Sequence, residues 1–206
     1  MADEIQMIHG YADEVSAEDF KNRLFIDADV LQDDGTWISK RMLPDSLLWF
    51  IDRNKMKSLI YVYNTQTQIQ SAINTPRPMM FDVLQYQSNF MLLGNLSSLQ
   101  YYGDFAQIFN VQFSAQISRT TGGSTETIDI WMRKNGADVP NSNTSVNVQA
   151  NAGYLVAAWN LVIDLNTNDQ IEIMWATTST AIQLKANPIQ SIHPATPSTI
   201  LSIQSM

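Results

Sequence analysis

Three groups of residues have types and spacings that could do chemistry. Asp27, Asp29, Asp33 and Asp34 beside Gly35 offer oxygen donors of the kind a calcium loop uses. Such a loop needs the order Asp-x-Asp-x-Asp-Gly and a distal bidentate Glu, and this run has neither. A hydrated turn is the expectation there. Asp164, Asp169 and Glu172 form the second group. Two carboxylates flanking a glycosidic bond can act as acid and base or as acid and nucleophile. Asp169 falls in an expected turn and Asp164 near an expected strand end, so structural duty accounts for both. The third group is the pair of histidines, His9 and His193. His193 stands among prolines with no Ser or Asp partner implied by spacing, so no triad follows. His9 sits in a polar stretch and is expected to face water.

Other chemistry is excluded by composition. The chain has no cysteine, which removes disulfides, thiolate zinc sites, iron–sulfur clusters and thiol nucleophiles. Two histidines cannot build a multi-histidine metal cage. Gly122-Gly123 is followed by neither a helix start nor a lysine, so it reads as a hairpin turn and not a phosphate loop. No catalytic, cofactor or metal residue is assigned. The net charge is −8 and no local basic patch offsets it, which disfavours nucleic acid as a partner. No apolar run approaches the ~20 residues a spanning helix needs, so no membrane insertion is expected. The acidic start Met1-Ala2-Asp3-Glu4 lacks the positive charge of a signal peptide.

The elements that position these residues change character near residue 60. Residues 1–60 hold 12 acids and 7 bases, whereas residues 61–206 hold 8 acids and 5 bases. Asn, Gln, Ser and Thr supply 56 of the 146 residues in that second part. The first part reads as a small mixed segment. Ser16 could cap a short helix. Leu24–Val30 and Thr36–Lys40 flank Asp33-Asp34-Gly35 as a hairpin. Asp45 or Ser46 could cap a helix running to about Lys57, with Arg53, Lys55 and Lys57 suiting its C-terminal end.

From residue 58 the pattern is strands and turns. Leu59–Tyr63 reads as a strand continuing through Thr65–Gln70, and Met79–Leu84, Phe90–Leu93 and Ser98–Tyr102 as short strands. Ile108–Ser118 is the clearest, since Phe109, Val111, Phe113, Ala115 and Ile117 alternate with amides and hydroxyls. Thr127–Arg133 puts Ile128, Ile130 and Met132 on one face, and Asn135-Gly136 turns the chain. Val146 and Val148 mark a short strand. Leu155–Leu165 alternates, followed by Ile171, Ile173 and Trp175, then Ile182 and Leu184. Pro188, Pro194 and Pro197 mark a loop before a last strand at Thr199–Ser205. Nine or ten strands with no convincing helix after residue 58 imply an antiparallel sandwich or jelly roll. Trp159 and Trp175 fall on inward positions and are expected in the core, whereas Trp131 alternates against Ile128, Ile130 and Met132 and is expected at the surface or near an interface.

The motif Phe109-Asn110-Val111-Gln112-Phe113-Ser114-Ala115-Gln116-Ile117 resembles the central strand of the jelly roll shared by complement globular heads and tumour necrosis factor. It is most similar to the version in bacteriophage fibre and capsid-surface proteins. Thr65–Gln68 with Ile73–Pro76, Ile130–Gly136 with Val139–Ser142, and Ala157–Asn160 with Asp169–Glu172 and Met174-Trp175 fit the same family in order. The resemblance covers residues 58–206. It implies an all-β jelly roll of about ten strands that assembles as a homotrimer and serves a virion structural role without catalysis or a cofactor. Residues 1–57 lie outside it and by position would attach the trimer to the capsid or another virion protein. The particle surface is the implied location, as a head fibre, a capsid decoration or a tail-fibre knob. A host-surface glycan is a further partner this allows, with Trp131 the candidate recognition residue. A polysaccharide-cleaving fibre or a pure glycan-binding module is the alternative.

One feature of the residues themselves bears on the trimer. The second faces of three long strands carry Gln112, Ser114 and Gln116, then Ala158, Asn160 and Val162, then Ile200, Ser202 and Gln204. None is charged. A solvated face on such strands would ordinarily carry Lys or Glu. These nine are the candidate trimer-interface residues.

Overall fold

The computed structural model describes the backbone of residues 26–31 and 37–42, and residues 57–149 and 153–206 in full. The chain divides into two compact units, 1–56 and 57–206. In the first, β1 (Ile26–Leu31) and β2 (Trp37–Met42) pair antiparallel, from Ile26↔Met42 to Leu31↔Trp37. Asp27 and Asp29 occupy alternate positions of β1. His9, Ser16, the turn at Asp33-Asp34-Gly35 and the expected helix at 45–56 lie outside the described residues.

The second unit is all β. Its strands are β3 (Leu59–Asn64), β4 (Gln68–Ile69), β5 (Arg77–Pro78), β6 (Val83–Ser88), β7 (Phe90–Leu92), β8 (Leu99–Tyr101), β9 (Gln107–Arg119) and β10 (Glu126–Lys134). There follow β11 (Ala137–Asp138), β12 (Thr144–Val148), β13 (Leu155–Leu165), β14 (Gln170–Thr177), β15 (Ile182–Leu184) and β16 (Thr199–Ser205). One sheet runs β4-β15-β9-β16-β3-β6, with β13 on β9; the other runs β11-β10-β14-β8-β7, with β12 on β10 and β5 on β14. Every pairing is antiparallel. The last strand returns to lie between β9 and β3, which closes a jelly roll. Among the described residues there is no helix long and apolar enough to cross a membrane.

The period-two alternation explains the packing. Phe109, Val111, Phe113, Ala115 and Ile117 of β9 are all buried, as are Ile60 and Val62 of β3 and Leu201 and Ile203 of β16. They meet Ile128, Ile130 and Met132 of β10 and Ile171, Ile173 and Trp175 of β14 from the opposite sheet. Burying each such side chain is worth about 1.5–3 kcal/mol. At one end of the sandwich Phe90, Tyr101 and Phe109 form a triangle of rings with centroids 5.0–5.1 Å apart. The Tyr101 hydroxyl donates to the Phe105 carbonyl at 2.8 Å, and burial pushes its pKa above the usual tyrosine value. The turn at Asn135-Gly136 has both residues at positive φ, +51° and +79°. That is the two-residue hairpin geometry that an Asn-Gly pair favours.

Two strand expectations differ from the structure. β3 stops at Asn64, because the Asn64 carboxamide accepts from the Gln66 backbone N–H at 2.6 Å and donates to the Met80 carbonyl at 2.8 Å. This Asx turn competes with strand continuation. Of the expected strand at 79–84, only Val83 and Leu84 are in a strand, as the start of β6, and 79–82 is a crossing between sheets. The Met79 N–H donates to Ile173 of one sheet at 2.7 Å, while the Asp82 carboxylate accepts from Thr65 at the end of β3 in the other. Met79 and Phe81 are buried, so the apolar pattern was that of a core segment without ladder partners.

Candidate functional site

The outward residues of β9, β13 and β16 come together on one face because the register aligns them in rows. Ala158, Ser114 and Ile200 form one row, Asn160, Gln112 and Ser202 the next, and Val162, Asn110 and Gln204 the third. Val156 pairs with Gln116 beside them. All nine candidate interface residues therefore share a single outer surface. The face continues over β3 with Leu59, Tyr61 and Tyr63 and reaches β6 at Tyr86. Asp164, at the end of β13, is the one charged residue among the outward positions of β3, β9, β13 and β16.

This face mixes amides and hydroxyls with exposed apolar side chains where a solvated face would be charged. Val162 is 63% exposed, Val156 58%, Ile108 56% and Tyr86 60%. The edge compounds this. β13 is 11 residues long and, among the described residues, pairs with no strand but β9, so its other edge has no strand ladder; the Asp164 carbonyl there accepts from Lys134 at 2.8 Å. Natural edge strands are blunted by Lys, Pro, bulges or shortness. β13 has no Lys or Pro. A long open edge beside exposed valines has the features that favour association between sheets.

The residues singled out for other chemistry are placed apart from this face or are held in structural bonds. Asp169 is buried, takes a 2.9 Å ion pair from Lys134, and accepts from the Asn135 carboxamide at 2.7 Å and the Asn166 N–H at 2.8 Å. Burial alone would raise its pKa, but the Asn135, Asn166 and Lys134 bonds outweigh it and hold the carboxyl below the usual range. Asp164 is exposed and lies 3.6 Å from the same Lys134 ammonium. Glu172 accepts from Ser98 at 2.7 Å and Ser97 at 3.4 Å. Turn-locking, a surface ion pair and a loop tie are the roles of these three. His193 is exposed, its Nδ1 2.8 Å from the Pro194 carbonyl oxygen. Among the described residues, no group of three His, Asp or Glu is arranged to hold a metal ion.

The tryptophans divide as their alternation required, with one refinement. Trp175 is 2% exposed and belongs to the core. Trp159 points inward and its ring lies 4.4 Å from that of Phe113, yet it is half-buried, because β13 is an edge and the sandwich is open there. Trp131 is half-buried on the outer face of the other sheet. Its Nε1–H donates to Asp138 at 2.8 Å, and Arg133 pairs with the same oxygen at 2.8 Å. The Trp131 bond, then Arg133, holds the Asp138 carboxyl below its usual range.

Sequence reasoning missed a groove beside the uncharged face. It is about 860 Å³ in volume and runs between Tyr61 and Tyr63 of β3, the 65–67 turn and the proline-rich 186–197 loop. The signal that could have found it was the Tyr-x-Tyr repeat on β3 set against three nearby prolines. Their proximity depends on the β16–β3 pairing, which residue spacing does not disclose.

No protein family and no curated protein matches this sequence. Among solved structures the chain is similar to murine APRIL at pH 5.0, with a TM-score of 0.47 and 10% identity over 73% of this chain and 100% of that one. It is similar also to the globular domain of zebrafish complement 1qA protein, with a TM-score of 0.42 and 12% identity over 73% of this chain and 96% of that one.

Proposed function

We propose that this chain is a non-enzymatic structural subunit of a bacteriophage particle, a homotrimer whose jelly roll is displayed at the virion surface. The observation that carries the assembly is the outer face of β13, β9 and β16. It is uncharged over nine aligned positions, studded with exposed valines, and flanked by an open edge strand. Copies of one chain bury such a face most economically by closing around a symmetry axis. Charge depletion at the centre of the patch is what interface cores show. The virion assignment is supported by the ordered series of strand motifs between residues 58 and 206, and residues 1–57 are the segment left to attach the trimer to the particle. Head fibre, capsid decoration and tail-fibre knob are all compatible with this role.

The assembly is tested by light scattering on the purified full chain, which should give about three times the 23.2 kDa chain mass. A monomer across the micromolar range overturns it. The attachment role is tested by removing residues 1–57. The shortened chain should keep its mass ratio and fail to join particles in a complementation assay, and retained incorporation overturns that role.

A further inference from the structure

The groove beside the uncharged face has a lining of definite chemistry. Two tyrosines, Tyr61 and Tyr63, form its floor from β3, with ring centroids 6.2 Å apart and planes at 57°. β3 is paired on both sides, by β16 and β6, so these rings are held on a rigid platform. Both are half-buried, yet among the described residues neither hydroxyl has a hydrogen-bond partner. The walls supply amides, from Gln66, Gln85 and Asn187, and none of the lining residues is charged. Ile200, one of the nine candidate interface residues, also lines the groove, so the site requires that the copies leave the β3 side of the face open.

The walls are also preformed. The register of β3 on β6 slips between Tyr61 and Val62, which pair with Tyr86 and Leu84. Gln85 is thus the extra residue of a β-bulge, a device that re-aims a side chain. Opposite it, the 186–197 loop is pinned at its neck by reciprocal 2.9 Å bonds between Asn187 and Thr196. It is further stiffened by Pro188, Pro194 and Pro197, which reduce the entropy lost on binding.

We propose that this groove binds a neutral saccharide, seated on Tyr61 and Tyr63 and hydrogen-bonded by Gln66, Gln85 and Asn187. Sugar hydroxyls both donate and accept, and a carboxamide does the same. The weakly positive C–H face of a pyranose packs against the electron-rich face of a tyrosine ring. An anionic ligand would need a cation that the groove lacks, and a purely apolar one would cut the amide groups off from water with only their single contacts to Thr65, Tyr86 and Tyr154. The volume lies within the roughly 300–1,000 Å³ of small-ligand sites. The assignment deepens the surface role proposed above and rests on it only for the source of the sugar. It places recognition on the tyrosine sheet and not at Trp131.

The test uses the full chain on a panel of immobilised neutral oligosaccharides (glucans, galactans, mannans) and sialylated or sulfated ones. Any hit is titrated by calorimetry with the soluble hexasaccharide, and the mass of the same sample is measured by light scattering. At least one neutral sugar should bind, with little change on adding salt. Tyr63→Ala should weaken binding about tenfold, a difference of about 1.4 kcal/mol. Gln85→Ala, a milder change at an exposed bulge, should weaken it several-fold, and Trp131→Ala should leave it unchanged. Failure of every neutral sugar, selective salt-sensitive binding of anionic ones, or loss with Trp131→Ala alone overturns the site. So does dissociation of a trimer by Tyr63→Ala, which would put a second copy in the groove. A trimer that binds no sugar refutes the groove alone, and a sugar-binding monomer refutes the threefold assembly alone.

Discussion

A lysine placed at Gln112 should dissolve the assembly while sparing the fold. Gln112 is central in the aligned face, between Asn160 of β13 and Ser202 of β16, and is exposed on the single chain. A longer polar side chain there meets water in the monomer and disturbs no core contact. In a closed trimer it enters the interface three times. An unpaired ammonium taken out of water costs several kcal/mol. At about 3 kcal/mol per copy the trimer loses about 9 kcal/mol, or about six decades in its association constant. Covering Val156 and Val162, 58% and 63% exposed on the single chain, offers about 1 kcal/mol each, or about 6 kcal/mol over three copies, which the lysine penalty outweighs. Sedimentation equilibrium at micromolar concentration should show Gln112→Lys at the 23.2 kDa chain mass, with an unchanged far-ultraviolet spectrum. Ala137→Lys, on β11 of the other sheet, should keep the wild-type mass. A Gln112→Lys chain that stays at the wild-type mass refutes the reasoning, as does equal dissociation by Ala137→Lys.

Other perturbations test the fold. Phe109→Ala opens the ring triangle with Phe90 and Tyr101 and should lower stability by about 3–5 kcal/mol in urea unfolding. Gly136→Ala has no atom within 4 Å of the added methyl, but the backbone there stands at φ +79°. Its cost of about 1 kcal/mol should therefore be purely conformational, with an unchanged slope in denaturant. Asp169 links stability to pH. Its folded pKa is depressed, so its contribution is complete above the unfolded value near ~4 and is lost as pH falls through the folded value. Asp169→Asn should cost about 2 kcal/mol at pH 7, and the variant and parent midpoints should converge on acidification below about pH 4. A gap that stays constant to the lowest pH would contradict that linkage.

Much of this architecture was legible in the residues. The alternation of Phe109, Val111, Phe113, Ala115 and Ile117 disclosed β9 and its buried face, because a period of two has one structural meaning. Asn135-Gly136 disclosed its turn, because few other pairs tolerate two positive φ values. The same alternation defined the outward set at Gln112, Asn160 and Ser202, but their alignment in one row is a matter of register, which only the pairing reveals. Met79 and Phe81 misled because burial alone does not distinguish a strand from a crossing segment. The Asn64 turn was hidden because the sequence shows its carboxamide but not the Met80 carbonyl that receives it. The groove was illegible for a related reason. Its two walls are more than 100 residues apart, and a bulge at Gln85 leaves no mark in the order of side chains.

The central claim is that the uncharged sheet face is covered by sister chains. Hydroxyl-radical footprinting of the native full chain tests it directly, normalised to the intrinsic reactivity of each residue. On the single chain Val156 and Val162 are 58% and 63% exposed, comparable with Ile189 at 75% on the proline loop. Burial between copies should leave both valines protected while Ile189 labels freely, with protection lost in Gln112→Lys. Labelling of the two valines in proportion to their single-chain exposure, to the same degree as Ile189, would contradict it.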